Sequence, residues 1–148
     1  MLVDLLKMSK NFPDINLTID NVQEFHDHML ADYVKQLDLI YLEVAEGRVL
    51  ARLNNLKEYQ FLTGAISGQV LMSAIDTVMS MAMSSSSKSQ RGTLSQNNNF
   101  IRPGVAPYFI IESQVQRFGR TIAIGETKVF AKNTNELICH ATSTFPLK

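Results

Sequence analysis

The chain has 148 residues, 45% apolar and 19% charged, with 14 basic and 14 acidic side chains. That length suits one domain with a real core, the composition is that of a globular protein, and the zero net charge argues against a non-specific nucleic-acid binder. Cys139 is the only cysteine, which excludes an intrachain disulfide.

The opening MLVDLLKMSK carries Asp4 and Lys7 inside what would otherwise be an apolar run, so it does not read as a signal peptide. A cytoplasmic location is the default expectation. Residues 1–20 read as an irregular arm of a single domain spanning 1–148, with Pro13 as a breaker. Asn21, with Glu24 three residues on, resembles a capping box. Val22, Phe25, Met29, Tyr33 and Leu37 then recur at helical spacing and predict an amphipathic helix. His26 and His28 lie off that stripe and two residues apart, so they read as surface histidines, not a metal pair; no metal site is expected.

Leu39–Ala45 is strand-like, Glu46-Gly47 reads as a turn, and the alternation of Val49, Ala51 and Leu53 predicts the second arm of a hairpin. The segment from about Gly68 to Ser84 is apolar on nearly every face, which predicts a buried helix. Gly64, Ser67, Gln69, Ser73, Asp76 and Ser80 interrupt it too often for a membrane span. A polar, mobile loop is expected from Ser84 to Gly92. Strands are expected at Thr93–Ile101, Tyr108–Phe118, Thr121–Lys132 and Leu137–Phe145. One helix, two strands, one buried helix and then strands to the end is not a β-α-β alternation. It predicts an α+β fold with an antiparallel sheet packed on one central helix.

Asp76 is the only formal charge between Phe61 and Ser87. A carboxylate inside a buried helix is costly unless paired or hydrogen-bonded, and such burial favours its use as a base. Hydroxyls such as Thr77 or Ser80 would satisfy it in a purely structural role. Ser67 can cap the helix, and Gly68 allows close approach to its N–H. A helix N-terminus presents free donors and the positive end of the dipole, suited to polarising a carbonyl. Asp76 lies eight residues beyond Gly68, about 12 Å along the axis. One carbonyl cannot meet both in one chain, so a shared role implies a dimer at minimum, its two helices antiparallel. The charge is uneven: residues 1–60 hold 10 acidic and 6 basic groups, residues 61–148 hold 4 and 8. Arg102, Arg120 and their neighbours suit a small anionic ligand or simply solvated surface.

Three segments together resemble the PaaI-type hotdog-fold acyl-CoA thioesterases. These are Gly64-Ala65-Ile66-Ser67-Gly68-Gln69 with Asp76 after it, Thr93 to Phe100-Ile101-Arg102-Pro103, and Arg117-Phe118-Gly119-Arg120-Thr121. The resemblance covers roughly residues 48–145. It implies a hotdog, an antiparallel sheet wrapped around the long helix, here with an extra N-terminal helix. It also implies homodimers or homotetramers with active sites between subunits, and acyl-CoA as substrate, with coenzyme A as part of the substrate and no separate cofactor. By position, Gly68 would polarise the thioester carbonyl, Asp76 of the partner subunit would be general base or nucleophile, and Thr93 would position the water or Asp76. Substrate would be contacted by Ser67, Gln69, Phe61, Asn97, Arg102 and Arg120, with no nucleic-acid or membrane partner.

The chain departs from the family pattern at Ser67 (a His in the family), Gln69 (the second Gly of a triplet) and Phe61 (a polar residue). These positions favour the alternative, a degenerate hotdog that binds acyl-CoA or fatty acyl groups without cleaving them. A hydratase would need a His beside the central helix, and none is near.

Overall fold

The structure, a computed structural model, describes residues 15–148. Most of the expected arm at 1–20 lies outside the described residues. The single helix expected from Val22 to Leu37 is two pieces: α1 (Val22–Met29) and a single turn, α2 (Asp32–Lys35). Leu30 and Ala31 between them are extended, with ψ of 154° and 149°. The apolar stripe therefore stops at Met29, and Tyr33 is left exposed. The Asn21 side chain does not cap α1. It turns back to accept from the Thr18 N–H at 2.8 Å.

Six strands follow: β1 (Leu39–Ala45), β2 (Arg48–Asn54), β3 (Ser95–Phe100), β4 (Tyr108–Phe118), β5 (Ile122–Ala131) and β6 (Leu137–Pro146). They form one antiparallel sheet in the order β1-β2-β4-β5-β6-β3. The sheet curls around α3 (Gly68–Met83), the buried helix the sequence predicts. This is the hotdog arrangement.

Strand pleat explains the core. Val49, Ala51 and Leu53 of β2, Phe109 and Ile111 of β4, Val129 of β5 and Cys139, Ala141 and Phe145 of β6 are buried. Against them α3 sets Leu71, Ala74, Ile75, Val78, Met79, Ala82 and Met83. Ser113 and Thr127 also face inward, fully buried, and satisfy each other at 2.8 Å. A side chain on Gly125 would run into Met79, whose sulfur lies 2.5 Å from where a Cβ would stand. The bare backbone there lets the helix sit down on β5.

The helix is not enclosed on all sides. Gln69, Met72, Ser73, Asp76 and Ser80 form a stripe at i, i+3, i+4, i+7 and i+11 that the sheet leaves partly or fully exposed. The reason is the position of β3: the sheet ends at that strand, whose outer edge has no partner among the described residues.

The serine-rich loop makes specific side-chain contacts. Ser85 Oγ accepts the Gly47 N–H at 2.7 Å and donates to the Ala82 carbonyl at 2.6 Å. Gln90 is buried and donates to Ser84 Oγ at 3.1 Å. Ser85 thus ties the end of α3 to the β1–β2 turn, while Gln90 folds the loop back on the helix end.

Candidate functional site

The expected site residues separate into two depressions on the uncovered side of α3. The first is an apolar cleft of about 660 Å³ at the helix N-terminus, lined by Phe61, Gly68, Gln69, Met72, Phe100 and Arg102 among others. The second is a shallower polar cup of about 360 Å³ lined by Met72, Ser73, Asp76, Thr93, Gln96 and Asn98. Met72 borders both.

At the cleft, Ser67 is the N-cap of α3, and its hydroxyl accepts the Val70 N–H at 3.2 Å. Its own N–H goes to the Tyr59 carbonyl at 2.8 Å. Gly68 and Gln69 are the first two helical residues, and among the described residues neither N–H has a hydrogen-bond partner. The first turn holds no acidic side chain, so the positive end of the dipole is not neutralised by the helix itself. Arg102, at the cleft's rim, is tied to Glu136 at 3.0 Å. This is an exposed pair that contributes little to stability.

In the cup, Thr93 Oγ1 donates to Asp76 Oδ1 at 2.5 Å. Asp76 is half-buried and faces outward on the uncovered stripe, rather than being enclosed in the core. Neither hydroxyl considered for it on the helix is used: Thr77 donates instead to the Ser73 carbonyl at 2.8 Å. Thr93 precedes β3 rather than belonging to it, so its side chain is not bound by the strand's alternation.

Two expected binding residues are not at this place in the chain. Asn97 lies on the outer face of the sheet, opposite Thr142, because β3 turns Gln96, Asn98 and Phe100 toward the helix. Arg120 sits in the β4–β5 turn, whose carbonyls of Phe118 and Gly119 are held by Lys88 at 3.3 and 2.7 Å. That is the end of α3 remote from Gly68.

Gln96 and Asn98, rather than Asn97, line the cup. Gln96 donates to the Met72 carbonyl at 3.2 Å and to Asn98 Oδ1 at 3.0 Å. Among the described residues its buried Oε1 has no partner, nor has Oγ of Ser143, the residue directly across the ladder. Strand parity was the signal that would have chosen Asn98 over Asn97.

Another correction lies away from the site. His26 is only 4% exposed. Its Nδ1 is hydrogen-bonded to the Tyr41 hydroxyl at 2.6 Å, with the rings edge to face. Burial holds the imidazole below its ordinary pKa, with Asp27 opposing that effect and Lys35 adding to it. The same burial raises the Tyr41 phenol.

The family model of the thioesterase superfamily matches residues 63–138, just over half of the chain, a stretch that holds the lining of both depressions except Phe61. No curated protein sequence matches. Solved structures share the fold. Zebra fish thioesterase superfamily member 2 is 20% identical, with 89% of this chain and 99% of that one covered and a TM-score of 0.76. The PaaI protein of E. coli, from the phenylacetic acid degradation operon, is 15% identical over 87% and 91%, with a TM-score of 0.76. A hypothetical thioesterase from Streptococcus pneumoniae, solved with coenzyme A, is 17% identical over 85% and 95%, with a TM-score of 0.74. At these identities the likeness is one of fold.

Proposed function

The chain belongs to the thioesterase superfamily, and from that premise we propose that it hydrolyses an acyl-CoA thioester in sites shared between two copies. The observation that carries this reading is the Asp76–Thr93 pair. A carboxylate held by a hydroxyl faces outward on the same helix whose free N-terminal donors open onto an apolar cleft. Coenzyme A in the Streptococcus pneumoniae thioesterase of the same fold supports the choice of thioester.

The reaction assigns each group a task. The thioester carbonyl oxygen lies against the Gly68 N–H, with the Gln69 N–H beside it. Asp76 of the partner subunit takes a proton from water as the oxygen of that water attacks the carbonyl carbon. Negative charge gathers on the carbonyl oxygen, where the unpaired helix donors stabilise it. The C–S bond then breaks, the thiolate takes the proton back from Asp76, and the products are a carboxylic acid and coenzyme A. Thr93 is a positioning residue that fixes the carboxylate oxygen not in use. The roles of Ser67, Gln69, Phe61 and Arg102 are to shape the cleft and its rim.

Sharing between subunits follows from reach. Gly68 and Asp76 sit about 12 Å apart along one helix, farther than one carbonyl and one water span. A two-fold axis beside the uncovered stripe would bring Gly68 of one copy to Asp76 of the other. It would also cover the open edge of β3 and the exposed Leu94, Met72 and Phe100 near it. Arg120, remote from Gly68 in its own chain, would approach the cleft of the partner in that arrangement.

The test is thiol release from short, medium, long and aryl acyl-CoAs, with Asp76→Ala beside wild type. Turnover is expected in wild type and its loss in Asp76→Ala, with the oligomer unchanged by size exclusion. Full activity in Asp76→Ala would remove the carboxylate from the mechanism. Binding of every acyl-CoA without turnover would select a degenerate binding protein instead.

A further inference from the structure

We infer that Phe100 is a specificity-determining residue of the cleft: its ring limits the bulk of the acyl group at the carbon next to the thioester carbonyl. The inference rests on the hydrolytic reading above and deepens it.

The three heavy atoms nearest to a Cβ built on Gly68 all belong to Phe100: Cζ at 3.1 Å, Cε1 at 3.3 Å and Cε2 at 3.5 Å. These atoms are the far end of the ring, so the phenyl points end-on at the Gly68 backbone. The absence of a side chain at Gly68 is thus already used by this ring. A carbonyl oxygen bound to the Gly68 N–H stands about 3 Å from the nitrogen. The acyl carbon attached to that carbonyl must then share the space bordering Gly68 with the ring.

A methylene is narrow enough to lie along the face of the phenyl. A quaternary or aryl carbon is wide in every direction and meets the ring edge. Phe100 is the last residue of β3, on the strand's inner face opposite Cys139, and is 50% exposed. Admitting bulk beside the carbonyl therefore means driving the ring to another rotamer. A bulky acyl group must pay for that displacement, and a slender one need not. Phe61 and Met72 extend the apolar wall outward from this point.

The experiment compares kcat/KM for paired thioesters in wild type, Phe100→Leu and Phe100→Ala. One pair is propionyl- and pivaloyl-CoA, the other phenylacetyl- and benzoyl-CoA. In each pair the second member carries the bulk directly on the carbonyl. Wild type is expected to favour the first member of both pairs. Phe100→Ala should raise the ratio of second to first by about tenfold or more, with Phe100→Leu between. Phe100→Leu keeps apolar bulk on the strand and guards against a folding artefact, checked by size exclusion and thermal melting. Turnover in the variants with both ratios within about twofold of wild type would overturn the inference while leaving hydrolysis standing. No turnover of any thioester by wild type would remove the hydrolytic reading, and this inference with it.

Discussion

Replacing Thr93 by Val isolates the part of the site that the structure describes most directly. The substitution keeps the shape of the side chain and removes the one hydroxyl that donates to Asp76 Oδ1. A hydrogen bond to a charged group contributes about 1.5–3 kcal/mol. If that interaction is what aims the carboxylate in the transition state, its loss lowers the rate by roughly 10–100-fold, at 1.36 kcal/mol per decade. The fold should barely notice. Thr93 is exposed and Asp76 only half-buried, so water replaces the lost donor and the stability change stays within about 1 kcal/mol. Thiol release under saturating substrate should show the loss in kcat, with KM nearly unchanged, because Thr93 lines the cup and not the apolar cleft. Thr93→Ser retains a hydroxyl at the same position and should recover most of the rate. A Thr93→Val enzyme within about twofold of wild type, or one that Thr93→Ser fails to rescue, would refute the positioning role.

Asp76→Ala and Gly68→Val chains, each inactive alone, should regain about a quarter of wild-type activity when unfolded, mixed and refolded, since half the dimers are mixed and each holds one intact pair; no recovery would place the whole site within one chain. A single turnover in heavy-oxygen water should leave Asp76 unlabelled and the acid product labelled if the carboxylate acts as base; label in Asp76, read by peptide mass, would make it the nucleophile. The pH dependence of stability should bear the mark of His26. Its folded pKa lies below the unfolded 6.5, so the unfolded state binds more protons as pH falls. Stability is therefore independent of His26 above that value and declines below it, until pH passes the folded pKa. His26→Gln should flatten the decline of the melting temperature below about pH 6.5 relative to wild type, and an unchanged slope would exclude His26 as its source.

Most of the sheet was legible because its strands alternate cleanly and end in turns. Leu39–Ala45 and Tyr108–Phe118 have the bounds their pattern implies. The central helix was legible in extent but not in exposure. Its composition reads as apolar all round, yet the spacing of Gln69, Ser73, Asp76 and Ser80 already marks one polar stripe. What a single chain does not reveal is that the sheet stops at β3 and leaves that stripe open. His26 was misplaced for a related reason: Val22, Phe25, His26 and Met29 lie at i, i+3, i+4 and i+7, so phase sets His26 on the buried side despite its polarity. The break at Leu30–Ala31 carries no Gly or Pro to announce it.

The three departures from the family pattern are not spread over the site. Phe61 and Gln69 both line the apolar cleft, and Ser67 caps the helix at its edge. None reaches the cup, where Asp76 and Thr93 are joined. Nor does Ser67 in place of the family's His undo the helix start, because the serine hydroxyl takes the Val70 N–H and, among the described residues, those of Gly68 and Gln69 have no partner. The proposed hydrolysis needs a carboxylate with a hydroxyl aimed at it, and the chain has both on the exposed stripe. Changes confined to the cleft alter which acyl group is admitted while leaving the groups that would act on the carbonyl and on water in place. Under the proposed reading the divergence at Phe61, Ser67 and Gln69 would act on substrate choice, and the acyl preference of variants at those three positions is where it should be measured.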